Sequence, residues 1–207
     1  MRAVPSPRVL DLGCGNGALL SSLSARVESG VGVDVSAQMI EHAKVRNEGK
    51  SHLSFRKVDG PAVPFEDASF DVVISLLSFR YLDWDPIMAE VRRVLRGNGR
   101  LLVVDMVELP ARFRDSYLVA KSAAQHLVQR LIQRQFTHDV TVLTKHPQWQ
   151  SMLKHNPIRA EHEYRWYFES RFPMRKLETL NVSRRHRIVA FDSGPMSEGV
   201  ISPLTFP

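Results

Sequence analysis

In the first half of the chain, short apolar runs alternate with polar turns that often carry glycine. Val9–Leu12 is apolar around one acid, Asp11, and Gly13, Gly15 and Gly17 follow at alternate positions. A short apolar run bounded by turn residues predicts a buried strand. The spacing then changes, and Leu19, Leu20 and Leu23 predict a helix over 18–27. Val31, Val33 and Val35 alternate and are β-branched, which predicts a strand over 31–35. Ser36 is a good N-cap for a helix to about Asn47, with Met39, Ile40 and Ala43 on one side. Leu53–Val58 predicts a third strand. Phe70–Leu76 is almost continuously apolar, as in a strand covered on both faces of a parallel sheet. Ile87, Val91, Val94 and Leu95 predict a helix over 85–95, stopped by Gly97-Asn98-Gly99, with a fifth strand over 101–104.

The second half changes character. Tyr117, Ala120, Ala124, Leu127, Val128 and Leu131 predict one long amphipathic helix from Phe113 to about Arg134. A short helix is expected over 147–154. The aromatic stretch 163–170 reads as a strand, and 186–191 as the last one. Three prolines follow Gly194, so 195–207 reads as a surface extension. The order of elements argues for one doubly wound α/β sheet within a single domain, residues 1–194. Residues 8–106 would form its cofactor-binding half and 107–194 its substrate-side half.

Composition narrows this picture. With 207 residues the chain is long enough for one sizeable core. No apolar run approaches the roughly 20 residues of a membrane span. No apolar stretch precedes the first strand, so a secretory signal is not expected. Cys14 is the single cysteine, which excludes an internal disulfide and a zinc site built on several thiolates. A cytoplasmic location is the simplest expectation. The eight histidines are scattered without ligand spacing, so no metal site is expected.

Charge is divided unevenly. Residues 1–110 hold 13 Lys and Arg against 14 Asp and Glu, and residues 111–207 hold 15 against 8. The net +7 of the second part suits an acidic small molecule, an anionic surface or nucleic acid. Solvated basic side chains on an exposed face explain it more simply.

The candidate chemistry lies at strand ends. A glycine loop between the first strand and the first helix lets bare backbone approach a nucleotide-like ligand. The pattern alone is ambiguous, because Gly13-x-Gly15-x-x-Ala18 also fits a relaxed dinucleotide fingerprint. Asp34 ends the second predicted strand, 17 residues after Gly17, where an acid can accept from both hydroxyls of a ribose. Val35 beside it offers an apolar face for adenine. Asp59 and Gly60 close the third strand, where a carboxylate and a backbone N–H can read an adenine edge. An ordinary Asp-Gly turn is the competing reading.

Four ordered blocks carry a resemblance: Val9–Gly17, Gly32-Val33-Asp34-Val35-Ser36, Phe70–Ser75 and Val91–Leu102. Together they are similar to the class I S-adenosylmethionine-dependent methyltransferases, within the small-molecule group that includes ubiquinone and menaquinone methyltransferases. The acid at Asp11 fits that family better than the dinucleotide folds. The resemblance covers roughly residues 8–106. It implies a Rossmann-like, mostly parallel seven-stranded sheet and S-adenosyl-L-methionine as cofactor. It also implies roles: Gly13, Gly15 and Gly17 line the methionine end, and Asp11 orients it. Asp34 holds the ribose, Val35 packs on adenine, and Asp59 and Gly60 read its edge. Ser75 and Leu76 lie near the methionine part and the transferring methyl. Arg80 and Tyr81, just beyond, are candidate contacts to a small organic acceptor. The reaction implied is an in-line displacement that needs alignment more than side-chain chemistry, with a base only where the acceptor arrives protonated.

The chain departs from the family in three places. About eight residues precede the first strand, where relatives usually carry helices that cover the cofactor. The cover helices are thus expected to be short or absent, with residues 106–170 or a second copy of the chain supplying the cover. Gly97-Asn98-Gly99 replaces the usual Pro-Gly-Gly. Ser75–Leu82 lacks the Asn/Asp-Pro-Pro-Tyr signature of enzymes that methylate exocyclic amines of bases or glutamine. The competing functions are an RNA or protein methyltransferase and a non-catalytic subunit on the same fold. Among substrate-side residues, His126, His138, Tyr164 and Tyr167 carry no motif of their own.

Overall fold

The computed structural model describes residues 6–108, 159–182 and 186–198. Its strands are β1 (Arg8–Leu12), β2 (Ser29–Asp34), β3 (Leu53–Lys57), β4 (Phe70–Leu76), β5 (Leu95–Glu108), β6 (Glu178–Val182) and β7 (His186–Asp192). Among the described residues the α-helices are α1 (Ala18–Leu23), α2 (Ala37–Arg46), α3 (Trp84–Val94) and α4 (Glu161–Arg171). The strands form one seven-stranded sheet in the order β3-β2-β1-β4-β5-β7-β6. β1 pairs in parallel with β2 and β4, β2 with β3, and β4 with β5. The strand order reverses between β1 and β4, and ligands of open α/β sheets sit at such a switch point, beyond the C-terminal strand ends.

The described residues divide into two compact units. One takes in 6–105, 165–177 and 190–198, and the other 106–108, 159–164, 178–182 and 186–189. In the first, the buried side chains of Val9, Leu20, Ile40, Ala43, Leu53 and Phe55 pack β1–β3 against α1 and α2. Ser36 caps α2 as expected, its hydroxyl accepting from the Met39 N–H at 3.3 Å. In the second unit, the Glu108 N–H donates to the Arg159 carbonyl at 3.1 Å, and Arg187 pairs with Glu161 at 3.4 Å.

Three expectations change. The helix expected over 18–27 stops at Leu23 and continues as one 3₁₀ turn, Ser24–Arg26. The Gly97-Asn98-Gly99 stretch lies inside β5, because Leu95 is already extended and pairs with Phe70. The register then jumps from Phe70↔Leu95 to Val72↔Arg100, so the stretch that holds these glycines is an irregularity in the β4–β5 pairing. A Cβ on Gly99 would meet the Asp71 carbonyl at 3.0 Å.

The aromatic stretch expected as a strand is the helix α4. Tyr164, Tyr167 and Phe168 recur at the three- and four-residue spacing of one helical face, and all are buried. Trp166 points away and is 53% exposed. Arg165 and Glu169 add an i,i+4 ion pair at 2.7 Å. β6 is an additional strand that the sequence reading left out. The helices expected over 113–134 and 147–154, with His126 and His138, lie outside the described residues. No helix among the described residues is long and apolar enough to cross a membrane.

Candidate functional site

β1, β2 and β4 end side by side, so the loops after them share one edge of the first unit. The Gly13 and Cys14 N–H groups both donate to the Val33 carbonyl, at 2.9 and 3.0 Å, which folds the loop back over β2. Gly13, Gly15 and Gly17 all have positive φ, at 73°, 51° and 71°. Their surroundings differ. A Cβ on Gly13 would strike the Ser78 side chain at 2.5 Å, and one on Gly17 would strike Asn47 and Phe55 at 2.8 Å. A Cβ on Gly15 would meet nothing within 4 Å among the described residues. Among the described residues the space over Gly15 is therefore open, while Gly13 and Gly17 are tight because the protein itself fills their Cβ positions.

Asp34 holds this loop in place. Its Oδ2 accepts from the Gly15 N–H at 2.9 Å, and its Oδ1 from the Ser36 N–H at 2.9 Å. Each oxygen keeps a second lone pair for a further donor. Val35, next along, is 65% exposed, an apolar surface left open at the strand end.

Asp11 lies beneath the loop, 1% exposed, and its Oδ2 has no hydrogen-bond partner among the described residues. A buried orphan acceptor is costly, so its presence at a strand end points to a bound donor. Burial, with Asp34 adding repulsion, pushes the Asp11 carboxyl up to about 7. Burial, reinforced by both acids, also raises the Cys14 thiol, so it stays neutral and serves as a small core group.

The loop after β4 completes the edge. Leu76 is partly exposed, and Leu77 takes φ 58°, rare for a leucine, with its N–H donating to the Val104 carbonyl at 2.7 Å. Ser75 is buried, and its hydroxyl lies 2.9 Å from that of Ser78, which donates to the Leu12 carbonyl at 2.7 Å. Ser78 thus ties the β4 loop to the first turn of the glycine loop.

Arg80, expected as a contact to the acceptor, is engaged within the fold among the described residues. Its side chain is fully buried and pairs with Asp105 of β5 at 2.9 Å, while its backbone N–H donates to the other Asp105 oxygen at 2.9 Å. Its guanidinium lies 4.7 Å from the centre of the Tyr81 ring. Tyr81 is partly buried, and its hydroxyl has no partner among the described residues. Asp59 and Gly60 are exposed beyond the end of β3, and the Asp59 carboxylate takes the Lys57 ammonium.

Sequence reasoning missed Ser78, Asn47, Phe55 and Asp105. Asn47 is buried and donates to the Gly17 carbonyl at 3.3 Å. An acid closing the apolar run Leu101–Val104 was a signal for Asp105; Ser78 had none. Among the described residues no group of three or more His, Cys, Asp or Glu converges on a metal position.

The residues present fit S-adenosylmethionine by three observations: open space over Gly15, an orphaned acceptor on Asp11, and free lone pairs on Asp34. Comparison with known proteins agrees. Residues 10–103 match the family model described as "Methyltransferase domain". Methyltransferase GfsG of Streptomyces halstedii is 38% identical over 105 residues, covering 48% of this chain and 38% of that protein. Demethylmenaquinone methyltransferase of Lactococcus lactis is 37% identical over 103 residues, covering 47% and 41%. The chain thus spans about 40% of the length of these relatives. The geranyl diphosphate C-methyltransferase of Streptomyces coelicolor A3(2) shares the fold, with a TM-score of 0.62 at 14% identity over 93% of this chain and 72% of that one. Residues 10–103 accordingly match a methyltransferase domain, on the Rossmann-like sheet that solved methyltransferases share.

Proposed function

We propose that the chain transfers a methyl group from S-adenosyl-L-methionine to a small organic acceptor. The observation that carries this reading is the open space over Gly15, set between the orphaned Asp11 and the loop-holding Asp34. The cofactor supplies an electrophilic methyl group that passes by in-line displacement to the acceptor. Gly15 leaves room for its methionine end, and Asp11 accepts from a donor there. Asp34 offers its remaining lone pairs to the ribose hydroxyls, and Val35 covers adenine, whose edge Asp59 and Gly60 face. Leu76 and Tyr81 stand on the acceptor side. Relatives named as acting on quinones and on a rifamycin support a small-molecule acceptor.

Isothermal titration with S-adenosylhomocysteine tests the reading. The parent chain is expected to bind it, and Asp34→Ala to bind at least tenfold more weakly, as loss of charge-assisted hydrogen bonds requires. Asp34 also holds the loop, so melting temperatures of both proteins separate a lost contact from lost folding. Unaltered affinity in the variant removes the ribose assignment; no binding by the parent removes the activity.

A second reading, an RNA methyltransferase, rests on the +7 charge of residues 111–207. It requires RNA binding that weakens steeply with salt. A chain that retains no RNA at low salt ends it.

A further inference from the structure

We propose that Asp11 couples cofactor binding to release of a proton: it is protonated in the free protein and ionises when a cation-bearing ligand enters the glycine cradle. The inference rests on the cofactor reading above.

The geometry is a pair of acids with, among the described residues, no cation acting on Asp11. Asp11 lies inside the sheet on β1, flanked by Gly32 of β2 and Ile74 of β4. From β2 it faces Asp34, and from the glycine loop the neutral Cys14 thiol. Among the described residues, no charged group on β4, α1 or α2 acts on it. Asp34 already accepts from two backbone N–H groups, and it repels a charge on Asp11. A second charge on Asp11 would then be buried beside it, with Oδ2 unpaired. A proton removes that charge in the free protein, and the displacement of this carboxyl toward 7 agrees; the missing partner is left for a ligand to supply.

A ligand carrying an ammonium group changes the balance. It supplies the opposite charge and the missing donor at once, which favours the ionised carboxylate. The proton leaves to solvent, at most one for each ligand bound. Affinity then rises with pH while Asp11 in the free protein is still protonated, by up to tenfold per pH unit, and levels off once it ionises unaided.

S-adenosylhomocysteine is the suitable probe, because its amine stays protonated across pH 5.5–7.5. Titration calorimetry in two buffers of different ionisation enthalpy reads the protons exchanged. The parent protein is expected to release close to one proton near pH 5.5 and about half a proton near pH 7, with affinity rising at least tenfold between them. Asp11→Asn is expected to lose that release and to bind within about twofold across the range. Binding by the parent with no net proton release and a flat pH profile overturns the inference alone. Release that persists in a folded Asp11→Asn assigns the proton elsewhere and also overturns it. If the variant does not fold, the parent's proton count and pH profile still decide. No binding at any pH overturns the cofactor reading, and this inference with it.

Discussion

Gly13, Gly15 and Gly17 share a positive φ but are not equivalent. Gly13→Ala drives a methyl into Ser78, so it is expected to destabilise by about 2 kcal/mol in urea unfolding. Adding Ser78→Gly should recover part of that loss. Gly15→Ala meets open space, so its folding cost is limited to about 1–2 kcal/mol of backbone strain. Its cost to S-adenosylhomocysteine affinity is expected to exceed tenfold by titration calorimetry. Asp11 carries a second residue-level prediction. Its folded carboxyl is raised from 3.8 to about 7, so its stabilising contribution is full below pH 4 and is lost as pH rises through 7. Asp11→Asn is therefore expected to raise the melting temperature of the free protein at pH 8 and much less at pH 5. The ceiling at pH 8 is ~4 kcal/mol. The acids at Asp11 and Asp34 were legible from the chain because strand-end positions follow from local patterning. The separate fates of the three glycines were not, because Ser78, Asn47 and Phe55 reach them from distant parts of the sequence.

At the level of elements, the turn after β4 is held from two sides. Ser78 anchors it to β1, and Asp105 grips the Arg80 side chain and backbone from β5. Removing one partner of a fully buried ion pair leaves the other charge less compensated, at a cost of up to about 3–5 kcal/mol. Arg80→Met is therefore expected to lose up to that much stability in urea unfolding, and Arg80→Met with Asp105→Leu to lose less. The α4 helix packs by aromatic contacts, with Phe168 stacked on Phe191 at 4.4 Å between ring centres. Its Tyr167 hydroxyl donates to the Trp84 carbonyl at 2.7 Å, so Tyr167→Phe is expected to cost about 1 kcal/mol. Burial, the largest influence, raises that hydroxyl, so it remains a donor at neutral pH. Aromatic content suggested a strand here because β propensity depends on packing context. The spacing of Tyr164, Tyr167 and Phe168, with the Arg165–Glu169 pair, was the better guide. The Arg80–Asp105 pairing was illegible for a different reason: its members are 25 residues apart on separate elements, and the apolar run that Asp105 closes does not point to Arg80.

For the molecule as a whole, alternating elements over residues 8–104 made the parallel part of the sheet readable, since each local run maps to one strand or helix. The family resemblance implied seven mostly parallel strands, but the order in which they lie was not readable from periodicity. That order places β1, which precedes the other six strands of this sheet in the chain, in its interior between β2 and β4. Val9 pairs with Val72, 63 residues later in the chain. A ribosome adding roughly 5–20 residues per second needs on the order of ten seconds to produce that partner. During synthesis, the backbone N–H and C=O groups along that edge of β1 therefore stay unpaired until β4 emerges, open in the interval to a strand of another chain.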